Sequence, residues 1–295
     1  MNIRIVNLKK QYHDKVILDD LSLTISSGEM VGLVGPNGVG KTTLIRTIFN
    51  LDTDYRGDVY FGDLSNRDER VFRNVSLMHE NRILYPQLSA YDHLKFLAEV
   101  HKKSESRIEE VADQVGIESY LHQKTGTFSL GMKQHLLIGM AILNEPKCLV
   151  LDEPFNGLDP TSIVSFKEQL KEMNAQGVTI LLSSHLLSLV QDLTSQVYFL
   201  KEGKLEMQKI HQGERQGYTL YLSHPELLQP FLAEQNYRYE WMDGGVHFVG
   251  DLTKVINHLT KKGLEIEDLQ VDRISLEQVY KEYYSVGVGD GISIE

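Results

Sequence analysis

Apolar and polar residues alternate along the first part of the chain, and continuous apolar runs follow. Residues 3–5 and 21–25 carry an apolar side chain at every second position, which predicts half-buried strands. The run Met30–Val34 is uncharged and apolar, and it predicts a fully buried strand. A glycine-rich turn at 35–40 then leads to a predicted helix at 42–49. The sequence therefore predicts strands followed by one strand–turn–helix unit.

A block of helical periodicity lies between residues 90 and 144, where apolar residues recur at spacings of three and four. Beyond this block, predicted strands and helices alternate. The strands fall at 147–151, 178–182 and 196–200, and the helices at 162–175 and 186–193. Such alternation predicts an α/β fold with parallel strands in its sheet. The block at 90–144 is predicted to be a helical subdomain inserted into that fold.

The pattern changes after about residue 203. Residues 218–284 are predicted to follow the order strand, helix, two strands, helix, strand, helix. A hairpin is predicted at Asp243-Gly244-Gly245, between two short apolar runs. This order predicts a small α+β module of the ferredoxin-like kind. The predicted domains are 1–207 and 217–284, with a flexible tail at 285–295.

Composition narrows the classes of function. The net charge is −11, from 30 basic and 41 acidic residues, so we expect no nucleic-acid partner, because such binding requires a basic face. The single cysteine, Cys148, excludes a disulfide within the chain. The N-terminus has no apolar signal segment, and the longest uncharged apolar stretch, 177–191, is too short to span a bilayer. If the protein serves a membrane, we expect it to act through a membrane partner.

The turn after the Met30–Val34 strand fits the phosphate-loop pattern G-x-x-x-x-G-K-[ST]. Glycines let backbone N–H groups turn toward an anion, and the N-terminus of the following helix is positive. Lys41 can reach the β- and γ-phosphates of a nucleotide, and the Thr42 hydroxyl can bind Mg²⁺. The predicted binding residues in this loop are Gly35, Pro36, Asn37, Gly38, Val39, Gly40, Lys41, Thr42 and Thr43.

Two adjacent carboxylates follow the strand predicted at 147–151. Asp152 lies where a carboxylate at the tip of a strand can bind Mg²⁺. Glu153 can polarise an attacking water as a general base. Alone, this pair also fits an ordinary acidic loop after a strand. Beside a phosphate loop, the pair predicts hydrolysis of the bound nucleotide.

Four further motifs resemble those of the ABC ATPase family. The run Phe128-Ser129-Leu130-Gly131-Met132-Lys133-Gln134 resembles the family signature, usually LSGGQ, and precedes Asp152-Glu153 at the family's spacing. Asn156-Gly157-Leu158-Asp159 resembles the D-loop, and Ser183-Ser184-His185 resembles the segment of the switch histidine. Tyr12 falls where the family places an aromatic residue against adenine. The resemblance covers residues 1–207 and implies a P-loop α/β fold with an N-terminal β-subdomain.

The same resemblance implies a mechanism. Two copies would pack head to tail, so that the phosphate loop of one faces the signature of the other. Ser129 and Gly131 would then contact the γ-phosphate, which His185 would sense, and Tyr12 would stack on adenine. Asp159 of the D-loop segment would be a further nucleotide-binding residue, although its place at a helix start also fits an N-cap. The implied ligands are ATP and Mg²⁺, with Lys41, Glu153 and His185 as catalytic residues and Thr42, Asp152 and Glu80 as metal ligands.

The chain departs from the family pattern at Leu130, Met132 and Glu80. Leu130 and Met132 stand where the signature usually has Gly and Gln, whereas its two phosphate contacts are kept. Glu80 stands where the family has a Gln that senses Mg²⁺ and the membrane partner. Its carboxylate can still bind Mg²⁺, and the alternative is that Glu80 is a solvated loop residue.

Residues 83–88 are largely apolar and lie in the region where the family binds a membrane subunit. The alternative is that they pack locally under the helical subdomain.

The residues of the signature segment, 128–134, and the added C-terminal module resemble those of ATPase subunits of bacterial drug, bacteriocin and lantibiotic exporters. These pair with separate membrane subunits of the ABC-2 type. The resemblance implies an ATPase at the cytoplasmic face of the cell membrane that powers export of a peptide, antibiotic or other amphipathic compound. It would pair with a second copy of itself or with a different ATPase chain.

The alternatives are a soluble ABC ATPase acting on nucleic acid or ribosomes, and a non-catalytic regulatory subunit. The single phosphate loop and acidic charge argue against the first, and Lys41 and Glu153 against the second.

Overall fold

The chain forms two units, Met1–Lys209 and Ile210–Glu295, in a computed structural model that describes residues 1–78, 83–209, 216–273 and 276–285. The first unit contains two sheets and two groups of helices. The second unit contains one sheet with its own helices. In the part of the chain that is described, no helix combines the length and apolar character needed to cross a membrane.

The first sheet of the first unit is antiparallel and has the strand order β2-β1-β4-β5. Its strands are β1 (Ile3–Tyr12), β2 (Lys15–Ile25), β4 (Arg56–Phe61) and β5 (Leu64–Ser65). The alternation predicted at 3–5 and 21–25 is confirmed, because one set of side chains is buried in a common core. This set is Ile3, Ile5, Leu21, Leu23 and Ile25.

The second sheet has the order β10-β9-β3-β8-β7-β6, and its strands are parallel except for β10 at the edge. The strands are β3 (Met30–Val34), β6 (Val75–Met78), β7 (Cys148–Asp152), β8 (Thr179–Ser184), β9 (Gln196–Lys201) and β10 (Lys204–Lys209). Every residue of β3, β7 and β8 is buried, as their continuous apolar runs predict. The strand predicted at 147–151 extends one residue further, so Asp152 belongs to the sheet.

Helices of the first unit fall into two groups. One group, α1 (Lys41–Ile48), α5 (Pro160–Ala175) and α6 (Leu187–Leu193), alternates with the parallel strands. The predicted helical insertion is the other group, α2 (Ala90–His101), α3 (Glu105–Val115) and α4 (Leu130–Ile142). α2 begins with a capping box in which Ser89 and Asp92 bond each other's backbone N–H groups. The α/β architecture with a helical insertion is therefore confirmed.

The second unit has the strand order β12-β13-β11-β14, with every neighbouring pair antiparallel. This is the ferredoxin-like arrangement that the sequence predicts. Its elements are β11 (Gln216–Leu222), α7 (Gln229–Glu234), β12 (Arg238–Met242), β13 (Gly245–Val249), α8 (Leu252–Lys262), β14 (Ile266–Arg273) and α9 (Leu276–Ser285). The first helix of the predicted order starts as a 3-10 turn at Pro225–Leu228 before α7. The predicted tail starts at Ser285, the last residue of α9, and residues 286–295 lie outside the described part.

Candidate active site

The carboxyl ends of three neighbouring parallel strands bring most of the predicted site residues to one edge of the second sheet. β3 leads into the phosphate loop, β7 ends at Asp152, and β8 ends one residue before His185. β8 lies between the other two strands, with Asp152 paired to Ser183. Carboxyl ends of parallel strands are the usual place for ligands in α/β sheets.

Glycine is required where the phosphate loop enters α1. Gly40 caps this helix with a φ of +116°, which L-residues rarely adopt. A methyl group at this position would also lie 2.8 Å from Cγ2 of Ile17. The loop can therefore present its backbone N–H groups and the start of α1 to an anion only with glycine here.

Lys41 points back into the phosphate loop and also reaches the end of β7. Its side chain is only 6% exposed. Nζ donates a hydrogen bond to the carbonyl oxygen of Gly35 at 2.7 Å and lies 3.3 Å from Oε1 of Glu153. The ammonium therefore stands between the loop and the predicted general base.

Glu153 is fixed by contacts from several directions. It has a φ of 49°, in the left-handed region. Its Oε2 lies 2.8 Å from Nδ1 of His185 and accepts a weaker bond from the His185 backbone N–H at 3.3 Å. A carboxylate oxygen only accepts, so Nδ1 carries the proton, and Nε2 is the second ring nitrogen of His185. The structure thus joins Lys41, Glu153 and His185, the three predicted catalytic residues.

Asp152 is buried beside Glu153 and is bonded to β8. Its Oδ1 accepts a hydrogen bond from Oγ of Ser183 at 2.6 Å, and the same Oγ accepts from the backbone N–H of Glu153 at 3.0 Å. Ser183 is fully buried. One hydroxyl group therefore orients both the predicted metal ligand and the backbone of the predicted base.

The donor set fits Mg²⁺ rather than a transition metal. Asp152 supplies carboxylate oxygen and Thr42, in the first turn of α1, supplies a hydroxyl. In the described ranges, no three His, Cys, Asp or Glu side chains are grouped to hold an ion. Mg²⁺ commonly takes one or two protein oxygens and completes its shell with water and substrate phosphates. Glu80, the third predicted ligand, lies outside the described residues.

Tyr12 ends β1 with its ring 43% exposed and its hydroxyl anchored. The hydroxyl donates to Oδ2 of Asp52 at 2.7 Å, and Arg46 of α1 holds Asp52 through bonds of 3.1 and 3.0 Å. These bonds from Arg46 lower the pKa of Asp52. Partial burial and, to a smaller extent, the hydrogen bond to Asp52 raise the pKa of the Tyr12 phenol. Nζ of Lys10 lies 4.7 Å from the ring centroid. The aromatic ring is thus tied to the helix that starts at the phosphate loop.

The signature segment packs against the D-loop segment of the same chain. Ser129 caps α4, its Oγ accepting from the backbone N–H of Met132 at 3.2 Å. A methyl group at Gly131 would lie 2.9 Å from the carbonyl oxygen of Gly157, so this close approach needs glycine. Leu130 is exposed beside them. In the described part of the chain, no hydrogen bond or ion pair joins Ser129 or Gly131 to the phosphate loop.

Asp159 caps α5. Its carboxylate accepts from the backbone N–H groups of Thr161 and Ser162 at 3.0 and 3.1 Å, and from Oγ of Ser162 at 2.6 Å. The bonds from Ser162 lower the pKa of Asp159. The N-cap role that the sequence indicates for this residue is therefore present, and its role in nucleotide binding stays a prediction.

Three residues at the site were not predicted from the sequence: Ser183, Asp52 and Gln134. Gln134 of α4 donates from Nε2 to the carbonyl oxygens of Glu153 and Pro154. Ser183 and Gln134 lie within motifs that resemble the family, which is the one signal that marks them. Asp52 lies just after α1, where the sequence carries no comparable signal.

Comparison with known proteins identifies the family. Residues 18–156 match the sequence profile of the family described as ABC transporter. The chain is 37% identical over 251 residues to the uncharacterized ABC transporter ATP-binding protein YdbJ of Bacillus subtilis (strain 168), covering 83% of this chain and 82% of that protein. It is 38% identical to the lantibiotic transport ATP-binding protein SrtF of Streptococcus pyogenes, covering 72% and 92%, respectively. It is 32% identical to the bacitracin transport ATP-binding protein BcrA of Bacillus licheniformis, covering 98% of each chain.

Two solved structures have the same fold as this chain. The structure of an ATP-binding subunit of an ABC transporter superposes with a TM-score of 0.66 at 26% identity, covering 88% of this chain and all of that one. A dimeric bacterial ABC transporter cassette, at 24% identity and a TM-score of 0.65, shares the fold over 70% of this chain and 98% of its own. The chain belongs to the ABC transporter family, as one of its ATP-binding, ATP-hydrolysing proteins.

Proposed function

We propose that this ATPase powers a membrane exporter whose cargo is a peptide, an antibiotic or another amphipathic compound. The observation that carries the proposal is the similarity to the bacitracin transport ATP-binding protein, which extends over 98% of both chains and so includes the second unit. The lantibiotic transport relative supports a cargo of the same chemical class.

ATP binding would use the phosphate loop, residues 35–43, for the phosphates and the exposed ring of Tyr12 for adenine. Lys41 is central, because its ammonium lies close to Glu153 and would also face the γ-phosphate. The phosphate would compete with the Glu153 carboxylate for this cation. Mg²⁺ held by Thr42, Asp152 and Glu80 would neutralise part of the phosphate charge.

Hydrolysis would depend on Glu153 as the general base that takes a proton from the attacking water. The left-handed backbone at Glu153 and the hydrogen bond from His185 Nδ1 fix the direction of the carboxylate. With Nδ1 donating to Glu153, Nε2 of His185 would donate to the γ-phosphate or its product in the imidazolium form, which carries a proton on both ring nitrogens. The geometry supports this division of roles, because one residue touches both Lys41 and His185.

A second ATPase subunit would complete each site. Ser129 and Gly131 lie at the N-terminus of α4, a helix end that favours anions. Their contacts within the chain run to the D-loop segment and to α4 itself. We therefore place the signature against the ATP of a second copy in a two-fold dimer. A different ATPase chain with its own phosphate loop is the alternative partner.

A separate membrane permease would bind the loop at 83–88. Ile83, Tyr85 and Leu88 expose their side chains, and Tyr85 is 65% exposed. The backbone of Tyr85 is held in place, since its N–H donates to Nε2 of His93 at 2.9 Å and its carbonyl accepts from Thr125 Oγ1 at 2.8 Å. A fixed aromatic residue exposed on a loop is typical of a binding anchor. The chain would then act at the cytoplasmic face of the cell membrane.

Co-purification from the native host tests this function. The Glu153→Gln variant, which we expect to bind ATP without hydrolysing it, is tagged and extracted from membranes in mild detergent with ATP present. We expect a polytopic membrane protein to be recovered with this variant. Much less of it should be recovered with the double variant that carries both Tyr85→Ser and Glu153→Gln. Recovery of ribosomes or DNA instead would favour the soluble ABC ATPase and would overturn the export function.

A further inference from the structure

The backbone at the end of β7 adopts a conformation that its own sequence does not favour. Glu153 has a φ of 49°, a region in which the Cβ atom of an L-residue is crowded by its own carbonyl group. Such a conformation persists only where surrounding groups hold it. At Glu153 it decides where the carboxylate points, because the side chain leaves the backbone at this residue.

Two side chains from different elements hold this segment. Ser183 of β8 accepts from the backbone N–H of Glu153 at 3.0 Å. Gln134 of α4 donates from Nε2 to the carbonyl oxygen of Pro154 at 2.7 Å and, with a longer bond, to that of Glu153 at 3.3 Å. The two carbonyl groups of consecutive residues therefore converge on one amide group, a pattern that an extended chain does not produce.

Gln134 is unusual for a polar residue on a helix, because it is only 6% exposed. A buried amide must be hydrogen-bonded, and the carbonyls of Glu153 and Pro154 are the partners that Nε2 has. Gln134 lies little more than one helical turn after Ser129, the N-cap of α4. The helix that begins with the signature is thus bonded directly to the backbone of the predicted general base in the same chain.

We infer that Gln134 is a positioning residue for ATP hydrolysis, which fixes the backbone of Glu153 from the signature helix. The inference rests on the proposed role of Glu153 as the general base. Gln134 does not contact the reacting atoms; it acts through the peptide groups at 153 and 154. Because Ser129 and Gly131 begin the same helix, a displacement of α4 would move the Glu153 carboxylate. Hydrolysis would then require the helical subdomain to be in place, whereas ATP binding at the phosphate loop would not.

The Gln134→Met variant tests the inference. Methionine has a similar length and volume but no N–H donor, so both carbonyl groups lose this partner. We expect kcat to fall by about 10- to 100-fold, the loss typical of a displaced catalytic group. ATP affinity and the KM for ATP should change by less than about twofold, because phosphate and adenine contacts are untouched. A merely structural defect would instead lower the folded fraction and affect binding and turnover together.

The matched control is Gln169→Met. Gln169 of α5 also donates through Nε2 to a backbone carbonyl across a helix–helix contact, that of Gln114 at 2.8 Å, but it does not bond to residues 153 or 154. Its kcat should stay within about twofold of the wild-type value. If Gln134→Met does not fold, Gln134→Leu replaces it, because leucine is apolar, favours helices and has no N–H or O–H donor. The same loss of kcat is expected.

Wild type and Glu153→Gln are measured in parallel, so that two failures are distinguishable. If Glu153→Gln is inactive while folded Gln134→Met or Gln134→Leu keeps wild-type kcat, the inference about Gln134 is wrong and the role of Glu153 stands. If Glu153→Gln turns over at the wild-type rate, the proposed base is wrong. A fall in kcat with unchanged ATP affinity in the Gln134 variant, and not in Gln169→Met, supports the inference.

Discussion

The ammonium of Lys41 lies 3.3 Å from Oε1 of Glu153, so the phosphate-binding lysine and the candidate base form an ion pair. Both side chains are largely removed from water, which strengthens their interaction relative to an exposed pair. A γ-phosphate bound to Lys41 would weaken this pair and leave the Glu153 carboxylate available to a water molecule. Nucleotide binding and activation of the base would therefore share one cation.

Replacement of Lys41 by alanine should abolish measurable ATP binding, because the phosphates lose the cation that faces them. Isothermal titration calorimetry with ATP and Mg²⁺ provides the measurement. Lys9→Ala serves as the control, since Lys9 is half-exposed and pairs with Asp19 at 2.9 Å on β2. Near wild-type ATP affinity in folded Lys41→Ala would overturn the phosphate-loop assignment.

The anchor of Tyr12 gives a second prediction. Asp52→Ala removes the acceptor of the Tyr12 hydroxyl and the link to Arg46, so the ring should lose its fixed position. We expect the KM for ATP to rise by about three- to tenfold, as for the loss of one aromatic contact, with kcat unchanged. Asp54→Ala is the matched control, because the Asp54 side chain is 98% exposed and its carboxylate lies 4.0 Å from Nζ of Lys10, whereas the hydrogen bond from Lys10 goes to the Asp54 backbone carbonyl, which alanine keeps. Equal KM values for the two variants would contradict the anchoring role of Asp52.

The same carboxylate predicts a pH dependence. The hydrogen bonds from Arg46 lower the pKa of Asp52 below its ordinary value of 3.8. The stabilisation that this group contributes is therefore complete above pH 3.8 and is lost as pH falls through the lowered value. The difference in Tm between wild type and Asp52→Asn should be constant from pH 8 to about pH 5 and shrink in stronger acid. A difference that grows as the pH falls would be inconsistent with the lowered pKa.

Ser183 should influence both metal binding and turnover. Ser183→Ala removes the hydrogen bond to Asp152 and leaves the backbone N–H of Glu153 without its serine acceptor. We expect a fall in kcat of about tenfold or more, and a higher Mg²⁺ concentration for half-maximal activity. Mg²⁺ titrations at saturating ATP measure both effects. Ser184→Ala should have a smaller effect, because the Ser184 hydroxyl accepts from the Leu186 backbone N–H and bonds neither carboxylate.

Much of the fold and part of the site could be predicted from local patterns. The continuous apolar runs at Met30–Val34 and 147–151 indicate buried parallel strands, and such strands place their carboxyl ends at one edge. Lys41 and Glu153, which follow two such strand ends, are therefore expected to lie close together. The ferredoxin-like sheet of the second unit also agrees with the predicted sequence of its strands and helices, in which Asp243-Gly244-Gly245 forms the hairpin.

The contacts that orient the site could not be predicted in this way. Gln134 bonds to a carbonyl 20 positions away, and Ser183 to a carboxylate 31 positions away. Asp52 meets Tyr12 across 40 positions. Neither hydrophobic periodicity nor motif spacing predicts these hydrogen bonds, because they depend on how separate elements pack. The left-handed backbone at Glu153 is likewise set by its surroundings, since glutamate does not favour it.

The rate of ATP hydrolysis by Glu153→Gln, measured together with its ATP affinity, shows whether Glu153 is the general base. Glutamine keeps the size of the side chain but cannot take a proton from water, so single-turnover hydrolysis should slow by about 100-fold or more. ATP affinity should be unchanged or higher, because Lys41 no longer pairs with a carboxylate. Hydrolysis at the wild-type rate would show that Glu153 is not the base, so that another group must activate the water.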